Sequence, residues 1–139
     1  MKQDVIQVRV RYSETDQMGV VYHGNYIPYF EMGRVEWLRN QGVSYKQMEE
    51  NGIALPIVSM NINYKKPAKY DDLLNVKTMF KKQSSVKVEF DCEITNSDGE
   101  LLTTGHFILV FVDLKTGRPT APPSYINDIF LTIEKHHSN

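Results

Sequence analysis

The chain contains one cysteine, Cys92, which rules out an internal disulfide and fits a reducing compartment. It also lacks an excess of charge of either sign. Sixteen Lys and Arg against 17 Asp and Glu leave −1, whereas a nucleic-acid binder usually carries a strong basic surplus. No apolar run approaches transmembrane length, and the first residues reach a polar strand pattern too early for a signal peptide. A cytoplasmic protein is the expectation. A Gly-x-Ser-x-Gly elbow and a phosphate-cradling glycine loop are both missing. Glu14, Asp16 and His23 lack a metal-ligand spacing, and His106 reads as isolated in an apolar strand. No metal or organic cofactor is expected.

What is present is ordinary for a globular protein. Hydrophobic residues make up 41% and charged residues 24% of 139, which argues against disorder and suffices for one core. With no repeat or linker in the pattern, residues 1–139 read as a single domain.

Ile6, Val8, Val10 and Tyr12 alternate with Gln7, Arg9 and Arg11, the period of a half-buried strand, with Tyr12 still facing inward. A loop from Asp16 to Gly24 follows. Asn25 reads as the N-cap of a helix whose first turn accepts Pro28, and Ile27, Phe30, Trp37 and Leu38 keep helical spacing up to Gly42. Gly33 on that side implies close approach of another backbone, and Glu31 and Arg34 read as an i, i+3 pair along the more polar side. Ser44 caps a short second helix ending at Gly52. Four strands are then predicted: around Val58–Tyr64, Leu74–Phe80, Val86–Ile94 and Leu101–Val112. Asp98-Gly99 turns the third into the fourth. The fourth is apolar on both faces, as in a central strand covered on both sides. Tyr125, Ile126, Ile129, Phe130 and Ile133 indicate a terminal helix, and His136-His137-Ser138-Asn139 a frayed end. The simplest assembly is α+β: an antiparallel sheet with a helix packed on its face.

The chemistry concentrates in the opening loop. Asp16 could attack a carbonyl or deprotonate a water, and it precedes a helix start at about Tyr22–Tyr26. Unpaired N–H groups and the positive end of the helix dipole suit a developing oxyanion, and Gly24 would let a substrate reach the backbone. Acyl transfer needs this combination, with Tyr12 and His23 available to orient the carboxylate or the substrate. Each residue also has a plain reading: Asp16 as a turn former, His23 as a capping or packing residue, Tyr12 as core. Cys92 lies on the apolar face of its strand and reads as a small core residue. Lys65, Lys66 and Lys69, with Lys81 and Lys82 in a later turn, read first as solvated edges. Their functional alternative is attraction of phosphates.

Arg11 to Arg34 closely resembles the opening motif of the 4-hydroxybenzoyl-CoA thioesterase-like family, in particular its acyl-CoA thioesterase branch associated with Tol-Pal genes. Tyr12, Thr15, Asp16, Gly19, Val20, Val21, Tyr22, His23, Tyr26, Glu31 and Arg34 carry the match. The order of elements and Tyr64–Asp72, with Pro67-Ala68 inside it, also look like the family. The resemblance implies a hotdog fold, in which the sheet wraps the long helix from about Ile27 to Gln41, and assembly into dimers or tetramers. It implies hydrolysis of an acyl-CoA, with Asp16 as the catalytic carboxylate and Tyr12 and His23 as further active-site residues. Backbone N–H groups of Tyr22, His23 and Gly24 would polarise the thioester. The acyl group would lie in a groove between subunits. Coenzyme A would be part of the substrate, with Lys65, Lys66 and Lys82 as candidate phosphate contacts. An acyl-carrier-protein thioesterase and a non-catalytic acyl-binding module are the alternatives, and a dehydratase fits the helix pattern less well. Dimerisation is expected along the last-formed edge of the sheet, where a long exposed strand would otherwise invite aggregation.

Overall fold

A computed structural model describes residues 3–137, without the side chains of residues 135–137. Its elements run β1 (Gln3–Arg9), two 3-10 turns (Tyr12–Glu14 and His23–Asn25), α1 (Tyr26–Asn40), α2 (Tyr45–Glu50), β2 (Ile53–Ala54), β3 (Ile57–Tyr64), β4 (Leu73–Ser84), β5 (Lys87–Thr95), β6 (Leu101–Val110), β7 (Val112–Asp113), β8 (Arg118–Pro119) and α3 (Ser124–His137). Five strands form one sheet in the order β1-β4-β5-β6-β3, and β2, β7 and β8 form a small second one. Every neighbouring pair of the large sheet is antiparallel.

The alternation of apolar residues sets which face of the sheet is covered. Leu74, Val76, Thr78 and Phe80 of β4 are buried, as are Val88, Phe90, Cys92 and Ile94 of β5. Against them lies one stripe of α1: Tyr26, Tyr29, Phe30, Gly33, Arg34, Trp37 and Leu38. This i, i+3, i+4 recurrence is the buried face of a helix. Gly33 is needed there, because a Cβ would stand 2.6 Å from Thr78 Oγ1 and 3.1 Å from Val76 Cγ1. The close approach is to side chains of β4. Beyond it Trp37 stacks on Phe80 at 5.7 Å and meets Phe90 edge-on at 5.0 Å, while Phe130 of α3 stacks on Phe80 at 5.2 Å. This aromatic group closes one end of the core and leaves the N-terminal end of α1 for the opening loop.

Several expectations change. β1 stops at Arg9, and Val10 N–H instead donates to the Asp72 carbonyl at 2.9 Å. Tyr12 therefore begins a 3-10 turn and is 77% exposed, not core. β6 is interior, between β5 and β3, but Thr104, His106 and Ile108 on its outer face are only half-buried, so this chain covers one face alone. The last long strand is thus not an edge; the edges are β1 and β3. Ser44 does cap α2, accepting from Gln47 N–H at 3.2 Å. The Asp98-Gly99 turn forms too, with Asn96 Oδ1 accepting from Asp98 and Glu100 N–H at 3.0 Å each. Ser138 and Asn139, assigned above to a frayed end, lie outside the described residues, while α3 extends through His137.

Candidate active site

Asp16 stands at the base of a reverse turn through Gln17 and Met18, closed by its own backbone bonds. Its N–H donates to the Val20 carbonyl at 2.8 Å, and Gly19 N–H returns to its own carbonyl at 3.0 Å. Gly19 sits at φ +79°, the left-handed region that a side chain resists. Bridges Thr15–Val21 and Val20–Lys69 tie the turn to the body. Of the carboxylate, Oδ1 accepts from Met18 N–H at 2.8 Å, and Oδ2 has no protein partner among the described residues. The side chain is exposed to a surface pocket of about 370 Å³, shared with His23, Tyr26, Tyr64, Lys65 and Lys66.

Glu14, two residues earlier, has the opposite fate. Its Oε1 accepts from Arg11 N–H at 2.7 Å and from the Tyr29 hydroxyl at 2.8 Å, and its Oε2 pairs with the Arg11 guanidinium at 3.1 Å. Burial pushes its carboxyl up, but these hydrogen bonds and the Arg11 charge prevail and hold it below the usual range. Burial and the Glu14 bond together push the Tyr29 phenol well up, so it stays a neutral donor. The Glu14 carbonyl also accepts from Tyr22 N–H at 3.0 Å and from Asn25 Nδ2 at 2.9 Å. Glu14 and Tyr29 thus brace the loop against α1, a role that no local sequence pattern announces. Position 29 on the buried helix face was the available signal.

These bonds correct two expectations. Asn25 does not cap α1, because its side chain reaches back to Glu14 across the loop. Tyr22 N–H is already committed to the Glu14 carbonyl and is not a free oxyanion donor. The N–H groups of His23 and Gly24 make no hydrogen bond among the described residues, and they open the turn that leads into α1. Gly24 has a packing reason: a Cβ there would lie 2.9 Å from the Tyr22 ring. His23 packs 4.3 Å from that ring and 6.0 Å from the Tyr64 ring, and the Tyr64 hydroxyl donates to its carbonyl at 3.1 Å. Behind the pocket, the buried Tyr26 hydroxyl accepts from Ala68 N–H at 3.2 Å and fixes the segment after β3.

The remaining residues divide. Lys65 and Lys66 line the Asp16 pocket, where Lys66 pairs with Glu100 at 2.7 Å. Lys82 does not; it lies toward the far end of β4, 3.4 Å from Glu89. Tyr12 packs on Tyr70 at 5.6 Å and is not among the pocket's lining residues. His106 is not isolated: Nδ1 is 2.7 Å from Asp91 and Nε2 is 3.2 Å from Glu89. Cys92 is buried as expected, and burial pushes its thiol up to about 12. No cluster of His, Cys, Asp or Glu among the described residues is arranged to hold a metal.

Arg34 departs most from its expected place on the polar side of α1. It is 5% exposed, its guanidinium lies 4.8 Å over the Phe107 ring, and Nη1 is buried without a hydrogen-bond partner. Desolvation pushes its pKa down, opposed by weaker attractions that include Glu31. It lines a second cavity, of about 250 Å³, between α1 and the sheet where β3 begins.

Residues 10–130 match the thioesterase-like superfamily. Over 119 residues the chain is 33% identical to the acyl-CoA thioester hydrolase YbgC of Escherichia coli O6:H1, covering 86% of this chain and 89% of the relative. Its backbone superposes on the DHNA-CoA thioesterase of Staphylococcus aureus with a TM-score of 0.91 at 37% identity, over 99% of this chain and 93% of the other. For the 4-hydroxybenzoyl-CoA thioesterase of Pseudomonas sp. strain CBS-3 the TM-score is 0.84 at 23% identity, over 93% and 99%. The fold is the hotdog fold of these thioesterases: an antiparallel sheet wrapped around a long helix.

Proposed function

Because the chain belongs to the thioesterase-like superfamily, we propose that it is a thioester hydrolase which cleaves an acyl-CoA to a free acid and coenzyme A. The observation that carries this reading is one pocket lined by an under-bonded carboxylate, Asp16, and by His23, whose unengaged N–H stands beside that of Gly24 at the start of the turn into α1. Donors at a helix start stabilise an oxyanion without reorganising during the reaction. Asp16 either attacks the thioester carbonyl, releasing the thiolate and leaving an anhydride for water to open, or takes a proton from a water that attacks instead. The His23 side chain then orients substrate beside Tyr64. Neither route calls for a metal or organic cofactor. Lys65 and Lys66 give the pocket a positive rim suited to the phosphates of coenzyme A.

The same reading includes a homodimer, alone or paired into a tetramer, of single-domain chains (residues 1–139) working in the cytoplasm. β3 supports the dimer. It is an unpaired edge with Val58, Met60 and Tyr64 exposed, while the other edge, β1, alternates Gln3, Val5, Gln7 and Arg9 outward. An apolar open edge favours pairing with a second strand. No helix among the described residues is long and apolar enough to cross a membrane.

Release of free thiol from short, long-chain and aromatic acyl-CoAs by wild type and Asp16→Ala tests the activity. Turnover that depends on Asp16 is expected. Turnover unchanged in the variant would overturn the Asp16 mechanism, and no turnover of any acyl-CoA would overturn the substrate class.

A further inference from the structure

The N–H groups of His23 and Gly24, free among the described residues, belong to peptide units whose carbonyls are both engaged. His23 N–H shares its peptide with the Tyr22 carbonyl, which accepts from Asn25 N–H at 2.8 Å. Gly24 N–H shares its peptide with the His23 carbonyl, which accepts from Tyr26 N–H and, at 3.1 Å, from the Tyr64 hydroxyl. In a trans peptide the N–H points away from the C=O across a plane that resists twisting, so whatever holds one end aims the other. A hydrogen bond at the carbonyl also polarises the N–H of the same unit.

Of these three bonds, only the one from Tyr64 comes from outside the turn. Asn25 ends the 3-10 turn and Tyr26 is its C-cap, and hydrogen bonds within such a turn have poorer geometry than those of an α-helix. Tyr64 stands 41 residues away, at the end of β3. Its backbone is anchored by pairing with Thr103 of β6, and the next two N–H groups, of Lys65 and Lys66, donate to the Leu102 carbonyl at 2.8 and 3.1 Å. Its ring stands edge-on to Tyr26 at 5.5 Å and to His23 at 6.0 Å. That packing needs the ring alone. The hydroxyl is what carries the stiffness of the sheet to the turn.

We propose that Tyr64 is a positioning residue for thioester hydrolysis: through the His23 carbonyl, its hydroxyl holds and polarises the helix-start N–H groups that receive the developing oxyanion. It acts through the backbone and does not itself meet the reacting atoms. Donors contribute most when they need no adjustment during the reaction. Without the Tyr64 bond the turn must be ordered as charge develops, a cost that falls on the barrier and not on substrate binding. This inference rests on the thioesterase reading and deepens it by naming what aims the oxyanion donors.

Tyr64→Phe removes the hydroxyl and keeps the ring. With whichever of acetyl-, hexadecanoyl- and benzoyl-CoA turns over fastest, kcat is expected to fall about 5- to 10-fold, the net worth of one hydrogen bond, at unchanged KM. A kcat equal to wild type overturns the proposal. So does a raised KM at constant kcat, which would put the hydroxyl on the substrate. A second measurement needs no turnover: the carbonyl stretch of benzoyl-CoA labelled with ¹³C at its carbonyl, read by infrared difference spectroscopy on Asp16→Ala. Oxyanion donors polarise the thioester and lower this frequency, and adding Tyr64→Phe is expected to reverse part of the shift. Equal frequencies in the two variants overturn the proposal. A wild type inactive toward every acyl-CoA counts against the thioesterase reading, while the carbonyl frequency still decides what Tyr64 does to the donors. A carbonyl unshifted even in Asp16→Ala overturns both.

Discussion

The two ends of β3 solve opposite problems. At the Tyr64 end the pocket is open and the loop behind it is braced: Glu14 alone gathers donors from Arg11, Tyr29, Tyr22 and Asn25. At the Ile57 end the cavity is more enclosed, and Nη1 of the buried Arg34 beside it has no hydrogen-bond partner among the described residues. Buried polar groups are normally satisfied, so the exception calls for an explanation. At one end hydrogen bonds hold the loop's shape; at the other, apolar packing and the Phe107 ring hold Arg34 in place.

The sharpest way to test that division is to remove the chemistry alone. Asp16→Ala is expected to lower kcat/KM by about 10²–10⁴ for every acyl group alike, because it acts at the reacting carbonyl. A loss confined to some acyl groups would place Asp16 in recognition. Splitting the proposed dimer comes next: Met60→Asp puts a charge on the exposed edge of β3 and is expected to give a monomer by sedimentation, with most turnover lost. An active monomer would show that each protomer works alone.

Smaller effects probe the contrast in stability. Tyr29→Phe removes a hydrogen bond to a carboxylate and is expected to cost about 1–2 kcal/mol at neutral pH. The sign with pH follows from Glu14, whose carboxyl is depressed in the folded state. Its contribution is present above the unfolded value near 4.5 and is lost as pH falls through the folded value. The difference between wild type and Tyr29→Phe in urea midpoint should therefore be full at pH 7 and shrink below about pH 4. A difference independent of pH would mean the phenol packs without bonding Glu14. Arg34→Met should have the smallest effect, a melting temperature unchanged or raised, since an apolar residue of similar length replaces a buried charge whose Nη1 has no hydrogen-bond partner. A drop of several degrees would assign the guanidinium to holding Phe107.

Much of this could be read from the chain. Strict alternation in Val86–Ile94 and the turn at Asp98-Gly99 predicted β5 and its hairpin, because both signals are local. The place of Asp16, in a loop between a strand and a helix start, was legible too. Arg34 was not, although the spacing Tyr26, Phe30, Gly33, Trp37 puts position 34 on the buried stripe. Its charge argued for solvent, and only the wrapped sheet reveals that solvent is excluded. Tyr12 failed in the opposite sense: an apolar-looking register continued past the point where Val10 turns aside to bond Asp72. The Glu14–Tyr29 bond joins residues 15 apart, and nothing local encodes it.

Hydrolysis of an acyl-CoA liberates a thiol at the surface of a protein that owns a single thiol of its own. Cys92 is 1% exposed, packed beneath α1, and burial keeps it protonated up to about 12. Exchange with a disulfide requires a thiolate that can reach it. The protein is thereby insulated from its own product: oxidised coenzyme A finds no accessible sulfur to couple with, and rising oxidative conditions leave the fold covalently unmarked at cysteine while it remains folded.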